Sequence, residues 1–353
     1  MNFRISSARR AMCIKPPLAR QSGVALIIAM LVFALATTLV VAMSSEFTLF
    51  LKRGSNSFVS SQSLAYLRGG EDLAVLALLQ DAEQDAEEQS QRDDLTELWA
   101  QQVIPYALDE GGWLSGGLVD LSARINLNDL RDPPAAASGD GSDAQAEQFT
   151  PAQMQFVRLL QVFEEPGISE QDAVLITEAL IDWLDADSEP RDFGAEDDYY
   201  FDREPSYRTG NREMESVSEL RMVANITPQL YLALEPLLSV WGDASGINVH
   251  TAPAEILRTI NTKGDRSPLS AAEGEALVEL RGEEGFEDVE SLLQSQVLNG
   301  RDLDYLRPRL LESSNYFLYS GEVEVADRVA RLYSVLRRDG GRVKAEIRAG
   351  GSL

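Results

Sequence analysis

"RQSGVALIIAMLVFALATTLVVAMSSEF", residues 20–47, is the stretch on which the reading of this chain turns. No residue from Gln21 to Ser45 is charged, and Val24 to Met43 supplies twenty apolar or neutral residues. At about 1.5 Å of rise per residue, such a helix spans about 30 Å, one hydrocarbon core of a bilayer. A secretory signal has a shorter apolar region, about 7 to 15 residues, followed by a small-residue cleavage site. Ala34-Leu35-Ala36 offers such a site, but cutting there would leave TTLVVAM exposed as an apolar terminus without a purpose. A cut after Gly23 removes the leader and keeps the helix.

Charge separates leader from body. Residues 1–23 carry Arg4, Arg9, Arg10, Lys15 and Arg20 with no acid, a net +5. The whole chain is −26, so everything after Gly23 sums to −31. Positive-inside logic places the leader in the cytoplasm and the body across the membrane. A body at −31 repels phosphate backbones and anionic headgroups, which disfavours sequence-independent nucleic-acid binding. The single cysteine, Cys13, lies in the leader, so a body trimmed there has no thiol chemistry. With His250 as the only histidine, His-based charge relays and multi-histidine metal sites are disfavoured too.

The helix should continue beyond the membrane, to about residue 90, because Ser45 to Gln89 has no proline and is rich in Leu, Ala, Glu and Gln. Gly54 and Gly69-Gly70 each cost up to about 1 kcal/mol relative to alanine, so a bend is expected there. A short helix is expected over 94–103, ended by Pro105, and then "GGWLSGGLVDLSARINLN", residues 111–128, reads as one or two strands. "RDPPAAASGDGSDAQAEQF", residues 131–149, reads as a surface loop. Six helices follow, over 151–164, 169–184, 227–240, 252–260, 270–281 and 286–295. "NYFLYSGEVEV", "RVARLYSVLRRD" and "RVKAEIRAG" then read as three antiparallel strands with Asp339-Gly340 at a hairpin turn. The expected class is α+β. A long helix (24–90, membrane-spanning over 24–43) packs on a small antiparallel sheet built from 91–126 and 313–353. An all-helical block, 127–312, is inserted between the two sheet segments.

A basic leader, Gly23 and an apolar run from Val24 resemble the class III signal of type IV pilins and type II secretion pseudopilins. The resemblance implies that a prepilin peptidase cuts between Gly23 and Val24 and methylates the new terminus. It also implies the pilin architecture for the helix and sheet. Most pilins carry a glutamate at the fifth mature residue, held to pair with the terminal amine of the subunit ahead; here that position is Ile28. A buried carboxylate without a partner costs several kcal/mol, and a subunit at the tip has no neighbour ahead. A missing glutamate in a chain about twice the usual pilin length resembles the K-type minor pseudopilin of the general secretion pathway. That family implies a non-enzymatic subunit of the periplasmic pseudopilus, anchored by one pass in the inner membrane and ending at the filament tip. Its implied partners are minor pseudopilins of the I and J types and the major pseudopilin filament, with the secretin and exported proteins as further contacts and no nucleic acid.

The densest chemical signal is "DWLDADSEPRDFGAEDDYYFDRE", residues 182–204, with ten acids against Arg191 and Arg203. Either this segment stays open and solvated, or a hard cation gathers its carboxylates, as calcium does with six to eight oxygens. Phe193, Tyr199 and Tyr200 within it favour order. It is not an EF-hand, because the sixth position counted from Asp185 is Pro190 where that motif needs glycine. It does match a "DWxDxD…GAEDxxY" pattern of the K-type family, and that resemblance implies calcium. The candidate ligands are Asp185, Asp187, Glu196, Asp197 and Asp198. Acid–base hydrolysis would need a second, isolated carboxylate in apolar surroundings, and none is visible.

"INVHTAPAEILRTI", residues 247–260, resembles the first helix of helix-hairpin-helix (SAM-like) units of competence-type DNA receptors, with Thr251 as N-cap candidate. "ARINLNDL", residues 123–130, looks like a partial copy. A membrane-anchored periplasmic DNA-binding module is therefore the alternative function, opposed by the acids that dilute the basic residues of 261–285. His250 reads as a capping or surface residue, and Trp113, Trp183 and Trp241 as core.

Overall fold

The computed structural model describes residues 23–88, 91–101, 103–109, 111–131, 149–242 and 246–351. Residues 1–22 of the basic leader, Cys13 among them, and 132–148 of the expected surface loop lie outside them. The chain divides into two units, the first ending at Val59 and the second starting at Ser60. In the first, helix α1 (Val24–Glu88) begins directly after Gly23, and every residue from 23 to 58 is exposed. Its apolar window reaches a mean hydropathy of 2.9. The hydroxyls of Thr38, Ser45 and Thr48 donate to carbonyls three or four residues back, at 2.8, 3.0 and 2.8 Å. This leaves few polar groups in need of water, as lipid requires.

The expected bend does not interrupt α1, which stays helical through Gly54 and Gly69-Gly70. Nothing lies within 4 Å of a Cβ built on Gly54 or Gly69, whereas one on Gly70 would stand 2.4 Å from the Tyr319 hydroxyl. Gly70 is there for close approach rather than for flexibility.

After α1 the expected helix over 94–103 is only a 3-10 turn, Leu98–Ala100. Asp94 takes the N–H and hydroxyl of Thr96, a local bond that competes with helix. Strands β1 (Tyr106–Ala107), β2 (Trp113–Asp120) and β3 (Ile125–Asn126) follow. The helices are α2 (Pro151–Leu160), α3 (Glu170–Leu184), α4 (Asp197–Phe201), α5 (Pro228–Leu234), α6 (Ala254–Leu257), α7 (Ala271–Arg281) and α8 (Val289–Leu293). Between α5 and α6 lie β4 (Leu238–Ser239) and β5 (Ile247–Asn248), and after α8 comes β6 (Leu310–Leu311). Strands β7 (Tyr316–Val325), β8 (Arg328–Asp339) and β9 (Arg342–Ala349) end the fold.

The main sheet is antiparallel, in the order β1-β2-β7-β8-β9. β2 and β7 pair along their length, from Trp113↔Glu324 to Asp120↔Phe317. The chain leaves the sheet at Asp120 and returns beside it at Tyr316, so everything between is carried as an insertion. The β8–β9 turn is Gly340-Gly341, both at positive φ, one residue later than the sequence indicates.

The inserted segment is not purely helical. β3 pairs in parallel with β4, and β5 with β6, closing two successive units, one from Ile125 and one from Ile247. The expected helices are shorter than the apolar pattern suggests; Pro236 turns the end of 227–240 into 3-10 structure. The Thr150–Gln153 capping box starts α2 as expected of Thr150-Pro151. The helices bury one continuous core that includes Phe156, Leu160, Leu180, Leu184, Leu234, Ile256 and Leu277. Thr251 does not cap α6, whose N-cap is Pro253. Its hydroxyl donates to buried Asp120 at 2.5 Å, a bond to a desolvated carboxylate that outweighs a cap.

A candidate cation site in the acidic segment

α3 delivers the acidic segment. Its Ser169 side chain caps the first turn, and it ends with Asp185, whose backbone N–H still bonds Ile181. Two acids one turn apart on α3 hold the following loop by its backbone. Glu178 accepts from the Phe193 N–H at 2.8 Å, and Asp182 accepts from the Arg191 N–H at 3.2 Å. Asp182 is fully buried; burial and the neighbouring Asp185 charge push its carboxyl up to about 6, against the opposing Arg191 N–H bond. Gly194 is required beside it, since a Cβ there would lie 1.8 Å from Asp182 Oδ2.

The turn after α3 brings its carboxylates round. Asp185 accepts from the Asp187 N–H (3.3 Å), Asp187 accepts from the Glu189 N–H (2.9 Å), and Asn211 donates to the Asp187 carbonyl (2.8 Å). Glu196, the N-cap of α4, makes no side-chain cap and is 5 % exposed, with neither carboxylate oxygen bonded to protein. Burial first, then the charges of Asp182, Asp185 and Asp187, push its carboxyl up to about 7, against the nearby Thr209 hydroxyl, which is spent on Asp197. Oxygens of Asp185, Asp187 and Glu196 lie within 4.8 Å of one another.

Asp197 and Asp198 lie outside that cluster. Asp197 accepts both the N–H and the hydroxyl of Thr209, at 3.1 and 3.0 Å, and Asp198 is exposed. Of the five candidate ligands, three converge and two do not. Beneath the loop Trp183 packs edge to face on Tyr200, centroids 5.3 Å apart, and Tyr207 lies tilted against Tyr200 at 5.2 Å. Tyr200 is fully buried and accepts the Ala224 N–H at 3.1 Å, while Phe193 is exposed. The supporting roles of Glu178, Thr209 and Asn211 depend on chain crossings that no local motif announces.

The donor set suits a hard divalent cation. All three groups are carboxylates, and a buried carboxylate bonded to nothing is costly unless a positive charge meets it. Both oxygens of Glu196 are in that condition. Asp185, Asp187 and Glu196 would hold such an ion, supplying the charge that fixes the loop.

Gly23 and Val24 flank the start of α1, and Ile28 lies one turn in, exposed among Ala25, Ala29 and Val32. His250 is neither cap nor surface residue but completely buried. Trp183 is core; Trp113 and Trp241 are half-buried, and the Trp113 indole donates to Glu324 at 3.0 Å. Arg258 and Arg281 of the hairpin region spend donors on carbonyls of Leu269, Val162 and Ala252.

Two segments, 123–243 and 247–311, match the family descriptions "Type II secretion system (T2SS), protein K". They correspond to the two units closed by β3·β4 and β5·β6. The type II secretion system protein K of Pseudomonas aeruginosa is 31% identical over 321 residues, covering 90% of this chain and 89% of that one. This chain belongs to the type II secretion system protein K family. The family's protein from Klebsiella pneumoniae is 30% identical over 322 residues, covering 91% of this chain and 94% of that one. A chain in the crystal structure of the GspK-GspI-GspJ complex from enterotoxigenic Escherichia coli shares the fold. It has a TM-score of 0.70 and 24% identity, and the match covers 85% of this chain and all of that one. The family fixes the chain as a minor pseudopilin of the K type, and the apolar start of α1 fits a membrane anchor.

Proposed function

We propose that this chain is a non-enzymatic tip subunit of the type II secretion pseudopilus, one that initiates or caps the filament during export of folded proteins. The observation that carries the reading is Ile28. The first turns of α1 offer no carboxylate to the terminal amine of a subunit ahead, so the chain suits a place with none ahead. The insertion between Asp120 and Tyr316 adds bulk to the body, which agrees with a terminal place.

A prepilin peptidase would cut between Gly23 and Val24 and methylate Val24, leaving α1 in the inner membrane and the acidic body in the periplasm. The partners would be I- and J-type minor pseudopilins, with the major filament below. The relative in the GspK-GspI-GspJ complex supports the first two. A calcium ion held by Asp185, Asp187 and Glu196 would have a structural role. The test is Ile28→Glu in a secretion-complemented strain. Loss of pseudopilus initiation, or a variant found within filaments, is expected; unchanged assembly and export would count against the tip assignment. Amino-terminal sequencing that begins near Thr37 rather than at Val24 would remove it.

A further inference from the structure

We propose that His250 is an acid-sensitive latch that holds the α7–α8 loop, residues 282–288, only while its ring is neutral. This rests on the local geometry and is independent of the function proposed above. The ring is fully buried, and its Nδ1 accepts the N–H of Phe286 at 3.0 Å. An imidazole accepts through one nitrogen only when neutral, so the ring proton sits on Nε2, which has no hydrogen-bond partner among the described residues. Gly285 makes the approach possible: at φ +81°, it lies where a Cβ would stand 2.5 Å from Nδ1. Arg92 holds the same loop by donating to the Phe286 carbonyl at 3.2 Å.

The charged groups that bear on the ring are Arg92 and Asp94 from the segment after α1, and Arg281 from α7. Two cations oppose one anion, and Asp94 is already bonded to Arg92 at 3.0 Å. A proton added at Nδ1 would remove the acceptor of Phe286 N–H and place a third positive charge in a dry pocket. Burial first, then Arg92 and Arg281, hold the ring down to about 4, against an ordinary value near 6.5.

The first inserted unit provides an internal control. Asn126 accepts from the Asn128 N–H as Asn248 accepts from the His250 N–H, each at 3.0 Å. Asn128 Oδ1 then accepts the Met214 N–H at 2.8 Å, where His250 accepts that of Phe286. One unit is thus closed by an amide oxygen that does not titrate, and the other by a nitrogen that does.

Because the chain has one histidine, labelling that residue type in the full-length protein in detergent micelles reports His250 alone. The expected NMR spectrum shows the proton on Nε2 and a titration well below 6.5. Hydrogen exchange of 282–288, corrected for intrinsic rate, should rise about tenfold between pH 6.5 and 4 while β7 stays protected. His250→Asn, which copies Asn128, should abolish that rise. A proton on Nδ1, titration near 6.5, an equal rise in His250→Asn, or simultaneous exposure of β7 would each overturn the latch. If His250→Asn does not fold, the wild-type tautomer and titration decide the matter.

Discussion

Gly70 on α1 faces Tyr319 on β7 so closely that a methyl group at 70 would stand 2.4 Å from the tyrosine hydroxyl. Gly116 and Gly321 crowd the same ring, at 3.1 and 2.4 Å from a built Cβ, and the hydroxyl donates to the Leu67 carbonyl at 3.2 Å. Moving the ring aside would break the hydroxyl's bond to the Leu67 carbonyl. Gly70→Ala should therefore destabilise the protein by about 1–3 kcal/mol despite alanine's better helix propensity. Gly69→Ala, one residue away over open space, should stabilise it by up to about 1 kcal/mol. Denaturant midpoints of the two variants in one buffer should move in opposite directions.

A second prediction concerns pH. Arg338 on β8 bonds Asp81 at 2.5 Å and Asp93 at 2.5 and 2.6 Å, while Glu97 receives the Trp99 indole N–H beside them. One guanidinium faces three carboxylates, and burial first, then Asp81 and Asp93, push Glu97 up to about 9. A carboxyl whose folded value lies above its unfolded value near 4.5 holds its proton more firmly in the folded state. Its contribution is complete below about pH 4.5 and is lost as pH rises towards 9. Glu97→Gln, which mimics the protonated form, should flatten the fall in unfolding midpoint between pH 5 and 9. An unchanged slope would refute it.

How far the sequence alone carried the fold depended on whether the cause was local. The apolar run from Val24, the alternation in β7–β9 and the Thr150-Pro151 start of α2 each decide their own structure within a few residues. The β7–β8 turn was less visible, because Ala326 and Asp327 adopt φ of 50° and 59° without the glycine or asparagine that marks such turns. Burial of His250 and the diversion of Thr251 to Asp120 arise from contacts more than 30 residues away in sequence, Phe286 and Asp120. In the acidic segment, the carboxylate density is compatible with a solvated face as well as with a cation site, and it does not set the membership of the cluster. Asp197 follows Glu196 directly, and only Thr209, reached after a further turn of chain, draws it away.

That membership yields a third prediction. Without a divalent cation, the bare carboxylate of Glu196 is a burden, so Glu196→Gln should be as stable as the wild type or more so. With calcium at about 100 times its Kd, the wild type should gain about 2.7 kcal/mol and the variant markedly less. Asp198→Asn should keep the full gain, since Asp198 lies outside the cluster. Thermal melts with calcium and with chelator test all three, and a wild type indifferent to chelation would remove the ion from the account.

The insertion is fastened to the sheet by a small number of buried polar bonds, and Asn248 makes the densest set. Its amide donates to the Asp93 carbonyl (3.0 Å), Asp120 Oδ2 (3.1 Å) and Ser314 Oγ (3.0 Å), and its oxygen accepts the His250 N–H. Asp120 is itself buried and also receives the Ser314 hydroxyl at 2.6 Å. Asn248→Ala would take its donor from the Asp93 carbonyl, at about 1–3 kcal/mol for a buried group left unsatisfied, while Asp120 keeps the bonds of Thr251, Ser314 and Ser122. The loss should be about 1–3 kcal/mol, beyond that of Asn299→Ala at an exposed loop position. Because the missing bonds join the insertion to Asp93 and Ser314 at the sheet, limited proteolysis of Asn248→Ala should release the two parts before either is degraded. A variant that resists protease like the wild type would show that the apolar core alone holds the insertion in place.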